Sequence, residues 1–292
     1  MDKIKKVYID SRYKTNDSVS NSEFKFELKE ALDLPDNTVC YIGDISIPHS
    51  WYSIEDLNNK LYIKRVYGDE PNLQTTGTIL TIPVGNYNTT RLASTLQTLL
   101  RERYDGDINF PDDAMTCTYE NSRGTIKITA NNPFQILSDS EAIYLTENAG
   151  PTFIWVGNNH VGTSIDLTNL RSINEALRND GYVPSSDIYG YTTYESEFID
   201  LLNVHNVYIH CPNLGHYNST GVRGENSIIK KVPVSSNFGF LILDSVVAPH
   251  DKLDVSHQSI KTMHFSLKNV HGNIINLHGS HISLSLIFQT YE

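Results

Sequence analysis

Apolar and polar side chains alternate along the last third of the chain. From Ser259 to Phe288 the sequence reads SIKTMHFSLKNVHGNIINLHGSHISLSLIF, and Met263, Phe265 and Leu267 fall on one side of the alternation. A period of two is typical of strands that bury one face. Turns rich in Gly and Asn at this spacing predict antiparallel strands rather than a helix-linked parallel sheet.

The same pattern occurs in two blocks, which flank a middle stretch of different character. The strands that it predicts are 24–28, 38–47, 61–66, 78–82, 204–210, 228–234, 261–268 and 281–288, with 239–246 as a ninth candidate. Eight antiparallel strands in two sheets form a jelly roll. The predicted fold is therefore mainly β, an antiparallel jelly-roll sandwich.

The middle stretch begins with a helical pattern. Its leucines recur at the spacing of one helix face, at Leu92, Leu96, Leu99 and Leu100. This spacing predicts an amphipathic helix over 90–103, with Thr89 or Thr90 as its N-cap.

A hairpin and two short helices are predicted to follow. The segments MTCTYE and TIKITA, separated by the turn sequence NSRG, predict a hairpin over 115–129. Ser138 with Glu141, and Ser172 with Glu175, each have the spacing of a capping box at the start of a helix.

These elements predict one sandwich that carries an insertion. Neither strand block closes two sheets alone, so we expect residues 20–84 and 203–292 to form a single jelly-roll domain. Residues 85–202 are then an insertion that holds the helix and the hairpin, and residues 1–19 are an N-terminal arm.

Composition narrows the class of protein. Of 292 residues, 39% are hydrophobic and 20% are charged, which is the balance of a folded globular chain. The formal net charge of −11 disfavours a general nucleic-acid binder, because phosphate repels an acidic surface. The three cysteines, Cys40, Cys117 and Cys211, have no zinc spacing, so we expect packed, reduced thiols.

The sequence suggests where the chain is made. No apolar stretch follows the N-terminal MDKIKK, so we expect synthesis inside the cell without a signal peptide. No run approaches the roughly 18 apolar residues of a membrane helix, so we expect no membrane span.

The eleven histidines raise the question of a metal site. His278 and His281 are three residues apart, and in a strand such positions point to opposite faces. A cupin metal site on a similar sandwich needs two His separated by one residue, then a Glu, and a further His on a later strand. The sequence lacks that spacing, so we expect no metal ligands.

Candidate catalytic groups are equally sparse. No Gly-x-Ser-x-Gly elbow and no phosphate-binding loop occurs. The adjacent acids Asp112 and Asp113, and Glu195 with Glu197, lie in loop-like stretches where paired acids are usually solvated. We therefore expect no enzymatic activity, no cofactor and no small-molecule substrate.

Several stretches together resemble a known family. They are DISIPHSWYSI, IPVGNYNTTRLASTLQTLL, NVYIHCPNLG, IIKKVPV and IKTMHFSLKNVHGNIINLHGSHISLSLIF. In order and spacing they resemble the penton-like minor capsid proteins of Polinton/Maverick elements, adintoviruses and virophages, whose jelly rolls stand upright on the shell. The likeness extends over nearly the whole chain.

This resemblance implies a structural role in a virion capsid. It implies a minor subunit that forms homopentameric vertices of an icosahedral shell, beside a major capsid protein. Two alternatives remain open: a single-jelly-roll major capsid or spike protein, and a glycan-binding β-sandwich module.

Five residues are candidates for an interface. Lys3, Lys5 and Lys6 form a basic arm that would reach a neighbouring capsomer or the packaged genome, unless they are simply solvated. Trp51 and Tyr52 are aromatic, as interface anchors often are, although core packing is the competing interpretation.

Overall fold

A computed structural model describes residues 3–68, 74–105, 114–148, 153, 155–157, 161–162, 173, 177, 190–214, 220–221 and 224–291. The chain divides into two compact units. The first consists of Met1–Trp51 with Val204–Glu292, and the second of Tyr52–Asn203.

Strands dominate the described residues. In chain order they are β1 (Lys3–Asp10), β2 (Glu23–Asp33), β3 (Thr38–Pro48), β4 (Lys60–Tyr67), β5 (Gln74–Thr81), β6 (Thr116–Glu120), β7 (Thr125–Leu137), β8 (Trp155–Gly157), β9 (Val161–Gly162), β10 (Tyr191–Glu195), β11 (Asn206–His210), β12 (Ile228–Pro233), β13 (Leu241–Asp244), β14 (Leu253–Asp254), β15 (Ser259–Lys268) and β16 (Ser283–Thr290). The α-helices described are α1 (Thr89–Tyr104) and α2 (Asp139–Asn148), and short 3-10 turns occur at Ser11–Tyr13 and Pro249–Asp251.

The first unit is a jelly roll. One sheet has the order β1-β16-β3-β13 and the other β12-β11-β15-β2, with β14 as a short addition beside β3. The main strands pair first with last, as in one long antiparallel hairpin: β1 with β16, β2 with β15, β3 with β13, and β11 with β12. The ladders β16–β3 and β11–β15 wrap that hairpin into two sheets. This winding is the jelly-roll arrangement, and the predicted fold class is confirmed.

The core of the first unit follows from the alternation along its strands. Met263, Phe265 and Leu267 of β15 are all fully buried, whereas Thr262, just before them, is exposed. Phe24 of β2 stacks on Phe265 with ring centroids 5.4 Å apart. A one-residue slip of this register would turn every one of these apolar side chains toward water, so the alternation fixes the pairing.

The N-terminal residues do not form the arm that the sequence predicted. Residues 3–10 form strand β1, which pairs with β16 from Lys3 opposite Thr290 to Asp10 opposite Ser283. The sequence did not predict this strand, because β1 is mostly exposed and has little alternation of apolar and polar residues. Among its residues only Ile9 is buried. Backbone pairing with β16 holds it without the usual apolar alternation.

The boundary between the units also differs from the predicted one. Strands β4 and β5, expected in the jelly roll, pair with each other, and β4 also pairs with β7 of the second unit. The first unit instead gains β1, and it uses the ninth candidate as β13. Alternation identifies a strand but not its partner, which is why a sequence-based boundary at 84/85 is placed too late.

The second unit combines a mixed sheet with helices. Its sheet has the order β10-β7-β4-β5-β8-β9, with β6 beside β7. All of its described ladders are antiparallel except β5 with β8. Leu92, Leu96 and Leu100 of α1 are fully buried in its core.

The helix, the hairpin and the first capping box predicted for this unit are all present in the structure. Helix α1 is present, but its N-cap is Asn88 rather than a threonine, and the Asn88 side chain accepts a hydrogen bond from Arg91 N. The hairpin is β6 with β7. Helix α2 begins with the expected capping box, in which Glu141 Oε2 accepts from Ser138 N at 2.8 Å and Ser138 Oγ from Glu141 N at 3.3 Å. The pair 172 and 175 lies outside the described residues.

Candidate assembly surface

The predicted interface residues fall in three different places. Lys3, Lys5 and Lys6 are exposed on the first half of β1, an edge strand of the jelly roll. Trp51 is only 2% exposed and packs in the core of the first unit, with its ring 4.4 Å from that of His49. Tyr52 is half-buried and belongs to the second unit. The structure thus places the lysines on one edge strand, and it leaves almost no accessible surface on Trp51.

The lysines lie at the end of the sandwich where the chain also finishes. Lys3 pairs with Thr290, and Tyr291 N donates to Asn37 O in the loop between β2 and β3. The loops before β2, β13 and β16 lie at the opposite end, where β3 also ends, because successive jelly-roll strands alternate in direction.

The outer faces of the two sheets differ in character. On the sheet that contains β2 and β15, the outward positions are polar or charged: Glu23, Lys25, Glu27, Thr262, His264 and Lys268. On the other sheet, the edge strands expose apolar side chains, with Ile4 57%, Tyr8 73% and Leu243 69% accessible. These apolar side chains therefore lie at the two opposite edges of this sheet, β1 and β13, and exposed apolar side chains that cluster at an edge are typical of a protein–protein contact.

One edge of that sheet carries an apolar ridge, which we define as residues 238–247. Its exposed members are Phe238, Phe240, Leu241, Leu243, Val246 and Val247. Ile242 between them is fully buried and faces the core. β13 pairs with β3 on one side, and it ends the order of its sheet on the other. An exposed apolar edge strand is a ready site for pairing with another chain.

The end of β3 holds the first half of the ridge in place. His49 N donates to Phe240 O at 2.9 Å, and Gly239 N donates to His49 O at 2.8 Å. The buried His49 ring lies 2.7 Å through Nδ1 from Ser236 O. Gly239 has φ +87°, a left-handed conformation that a side chain would strain. Phe240 is therefore presented outward by a fixed turn.

A buried ion pair holds the second half of the ridge. Lys230 of β12 lies 3.5 Å through Nζ from Asp244 Oδ2, and its side chain is only 5% exposed. The same ammonium donates to Val246 O at 2.5 Å, and Asp244 Oδ1 accepts from Val246 N at 2.8 Å. Because β12 and β13 are edge strands of different sheets, this pair joins the two sheets beneath the ridge.

The opposite edge of the jelly roll carries a groove. It opens between β1 and β2, the remaining edge strands of the two sheets, and it has a volume of about 740 Å³. Its walls combine apolar and aromatic side chains with charged ones: Val7, Tyr8, Tyr13, Phe26 and Leu28 with Lys6, Asp10, Glu27, Lys29 and Asp44. One edge of the sandwich thus exposes an apolar ridge, and the other carries a groove with apolar and charged walls.

The described residues offer little catalytic chemistry. They contain no group of three or more His, Cys, Asp or Glu side chains placed to hold a metal ion. Glu195 accepts hydrogen bonds from Thr125 Oγ1 and Arg123 Nη1, both at 3.0 Å, and these bonds lower its pKa. It is a surface ion pair rather than a general acid. Asp112 and Asp113 lie outside the described residues.

The cysteines are free and buried, as expected. Burial raises the pKa of Cys117 and of Cys211 to about 12, so neither thiol is a nucleophile at neutral pH.

His210 gives the jelly roll a predicted response to acid. It is 3% exposed, and its Nδ1 lies 2.9 Å from Ser227 Oγ. Burial, with a contribution from Lys268, lowers its pKa below the ordinary 6.5. The unfolded chain then takes up the proton first, so stability is full above about pH 6.5 and falls as the pH drops toward the folded-state pKa.

We therefore expect the melting temperature to fall between pH 7.5 and pH 5.5, and His210→Gln to remove part of that fall. Thermal unfolding at both pH values measures the difference. The matched control is His271→Gln, at an exposed turn, which should keep the wild-type pH dependence. An unchanged pH dependence in His210→Gln would contradict the assignment.

The apolar ridge can be recognised in the sequence, although not from the alternation of apolar and polar residues. In FGFLILDSVV, apolar residues occupy both phases of the strand, which is unusual for a strand with one face in water. The groove cannot be recognised in the sequence, because its walls come from segments far apart in the chain.

Comparisons with known proteins give structural similarity without sequence matches. No protein-family description matches the sequence, and no curated protein matches it. Among solved structures, the chain is similar to the selenomethionine-labelled mavirus penton protein, with a TM-score of 0.48 and 10% identity, over 98% of this chain and 100% of that one. In the described part of the chain no helix is long and apolar enough to span a bilayer.

Proposed function

We propose that the chain is a structural capsid protein, a penton-like minor subunit that forms pentameric vertices of an icosahedral shell and has no enzymatic activity. The observation that carries the proposal is the jelly roll with two different edges. An apolar ridge on one edge and a groove with apolar and charged walls on the other equip each copy to contact two neighbours. The sequence resemblance to upright-jelly-roll minor capsid proteins supports the same role.

A closed ring suits such a subunit. A ring needs two different patches on each copy, whereas a twofold dimer uses one patch twice. In the proposed virion the ring contacts the major capsid protein of the same shell, and the packaged genome is a further candidate partner.

Native mass spectrometry of the purified full chain tests this function. We expect a dominant species at five times the chain mass of 33.0 kDa. A dominant trimer would favour a major capsid protein instead. A monomer at every concentration that binds immobilised glycans would favour the glycan-binding sandwich.

A further inference from the structure

We infer that the ring interface is formed by the apolar ridge of one copy seated in the β1–β2 groove of the next. The occupant of the groove is thus a second copy of this chain. The inference rests on the proposed function and deepens it, because it names the two surfaces that meet.

The ridge and the groove lie at the same height along the sandwich. Across the sheet, Leu243 pairs with Ser46, Ser46 with Ser283, and Ser283 with Asp10. Leu243 on the ridge is therefore level with Asp10, which lines the groove. Copies related by rotation about an axis parallel to the strands keep equal heights, so this ridge meets this groove without a vertical shift.

Strand direction is also compatible. β1 and β3 both run antiparallel to β16, and β13 runs antiparallel to β3, so β13 is antiparallel to β1. When copies stand side by side, the free edge of β13 faces the free edge of β1 in the next copy. Two antiparallel edges can then extend the sheet by backbone pairing, as an added strand does.

Residues of opposite charge also lie at the same height on these two edges, near the other end of the sandwich. Asp254 pairs with Val39, Val39 with Gln289, and Gln289 with Ile4. The exposed Asp254 of one copy therefore lies at the height of Ile4, which Lys3 and Lys5 flank in the chain. In this arrangement Lys3 and Lys5 are part of the subunit interface.

Two variants with exposed substitutions test the interface. The ridge variant is Leu241→Glu with Leu243→Glu, and the groove variant is Tyr8→Glu with Tyr13→Glu. All four side chains are more than half exposed, so the fold should tolerate the changes. We expect each variant alone to lose the ring in native mass spectrometry. The control Val270→Glu, at an exposed position of the turn between β15 and β16, neither of which is an edge strand, should keep it.

Mixing the two variants gives the sharper result. The intact ridge of the groove variant can enter the intact groove of the ridge variant, and no further copy can then be added. We expect a one-to-one heterodimer that neither variant forms alone. Rings that survive in both variants, or no heterodimer in the mixture, would overturn the inference while leaving the proposed function standing. A wild-type chain that is monomeric at every concentration would overturn both.

Discussion

Replacing Asp244 with alanine is expected to lower the free energy of unfolding of the jelly roll by about 3–5 kcal/mol. The change leaves the ammonium of Lys230, which is 5% exposed, without its carboxylate. It also removes the acceptor for Val246 N, which shapes the ridge. Urea unfolding measures the loss, and the ridge should become less able to support association.

The double variant Lys230→Met with Asp244→Leu is the matched control. A well-packed apolar pair is often as stable as a buried ion pair, so we expect the double variant to recover most of the loss. The chain has two tryptophans, Trp51 in the first unit and Trp155 in the second, so a Trp155→Phe background lets Trp51 fluorescence report the jelly roll. A loss below about 1 kcal/mol in Asp244→Ala would show that the ion pair does not hold this edge.

Replacing Trp51 with alanine is expected to cost about 3–5 kcal/mol, because it leaves a large cavity in the core. Trp51→Phe should cost less than about 1.5 kcal/mol, since it keeps most of the ring volume. The buried Trp51 Nε1 finds no hydrogen-bond partner among the described residues, so phenylalanine also removes a donor without breaking a bond there. Unfolding followed by circular dichroism measures both losses.

The Trp51 series separates the two roles that the sequence left open. If Trp51 is a core residue, each replacement lowers the free energy of unfolding in proportion to the side-chain volume removed, and Trp51→Phe leaves assembly intact. If Trp51 is an interface anchor, its replacement would instead leave the free energy of unfolding within about 1 kcal/mol of the wild-type value and abolish the ring. The second result would contradict the placement of Trp51 in the core.

Local structure in this chain was largely predictable from sequence. The alternation of Met263, Phe265 and Leu267, the leucine face of α1 and the capping box at Ser138 each depend on neighbouring residues, and each is confirmed. Such features are visible in sequence because period and capping are local properties.

The pairing of distant segments was less predictable. Strand β1 has three lysines and little alternation, and its place beside β16 depends on residues about 280 positions away. β4 and β5 are recognisable in the sequence as apolar-rich strands, yet they pair within the second unit. Register and sheet membership are set by tertiary packing, which outweighs local propensity.

The candidate assembly surface was only partly predictable for the same reason. The three lysines were found, although as part of a strand. The ridge could be suspected from its apolar residues in both phases. The groove could not, because it exists only when β1 and β2 meet as the edges of two sheets.

Electron microscopy of the purified wild-type chain tests the central claim most directly. Class averages should show closed rings with fivefold symmetry, in which the sandwiches stand side by side and contact through opposite edges. Each contact should bury at least about 1,000 Å² to persist in isolation. Rings of another symmetry, twofold dimers, or single particles at all concentrations would contradict the account.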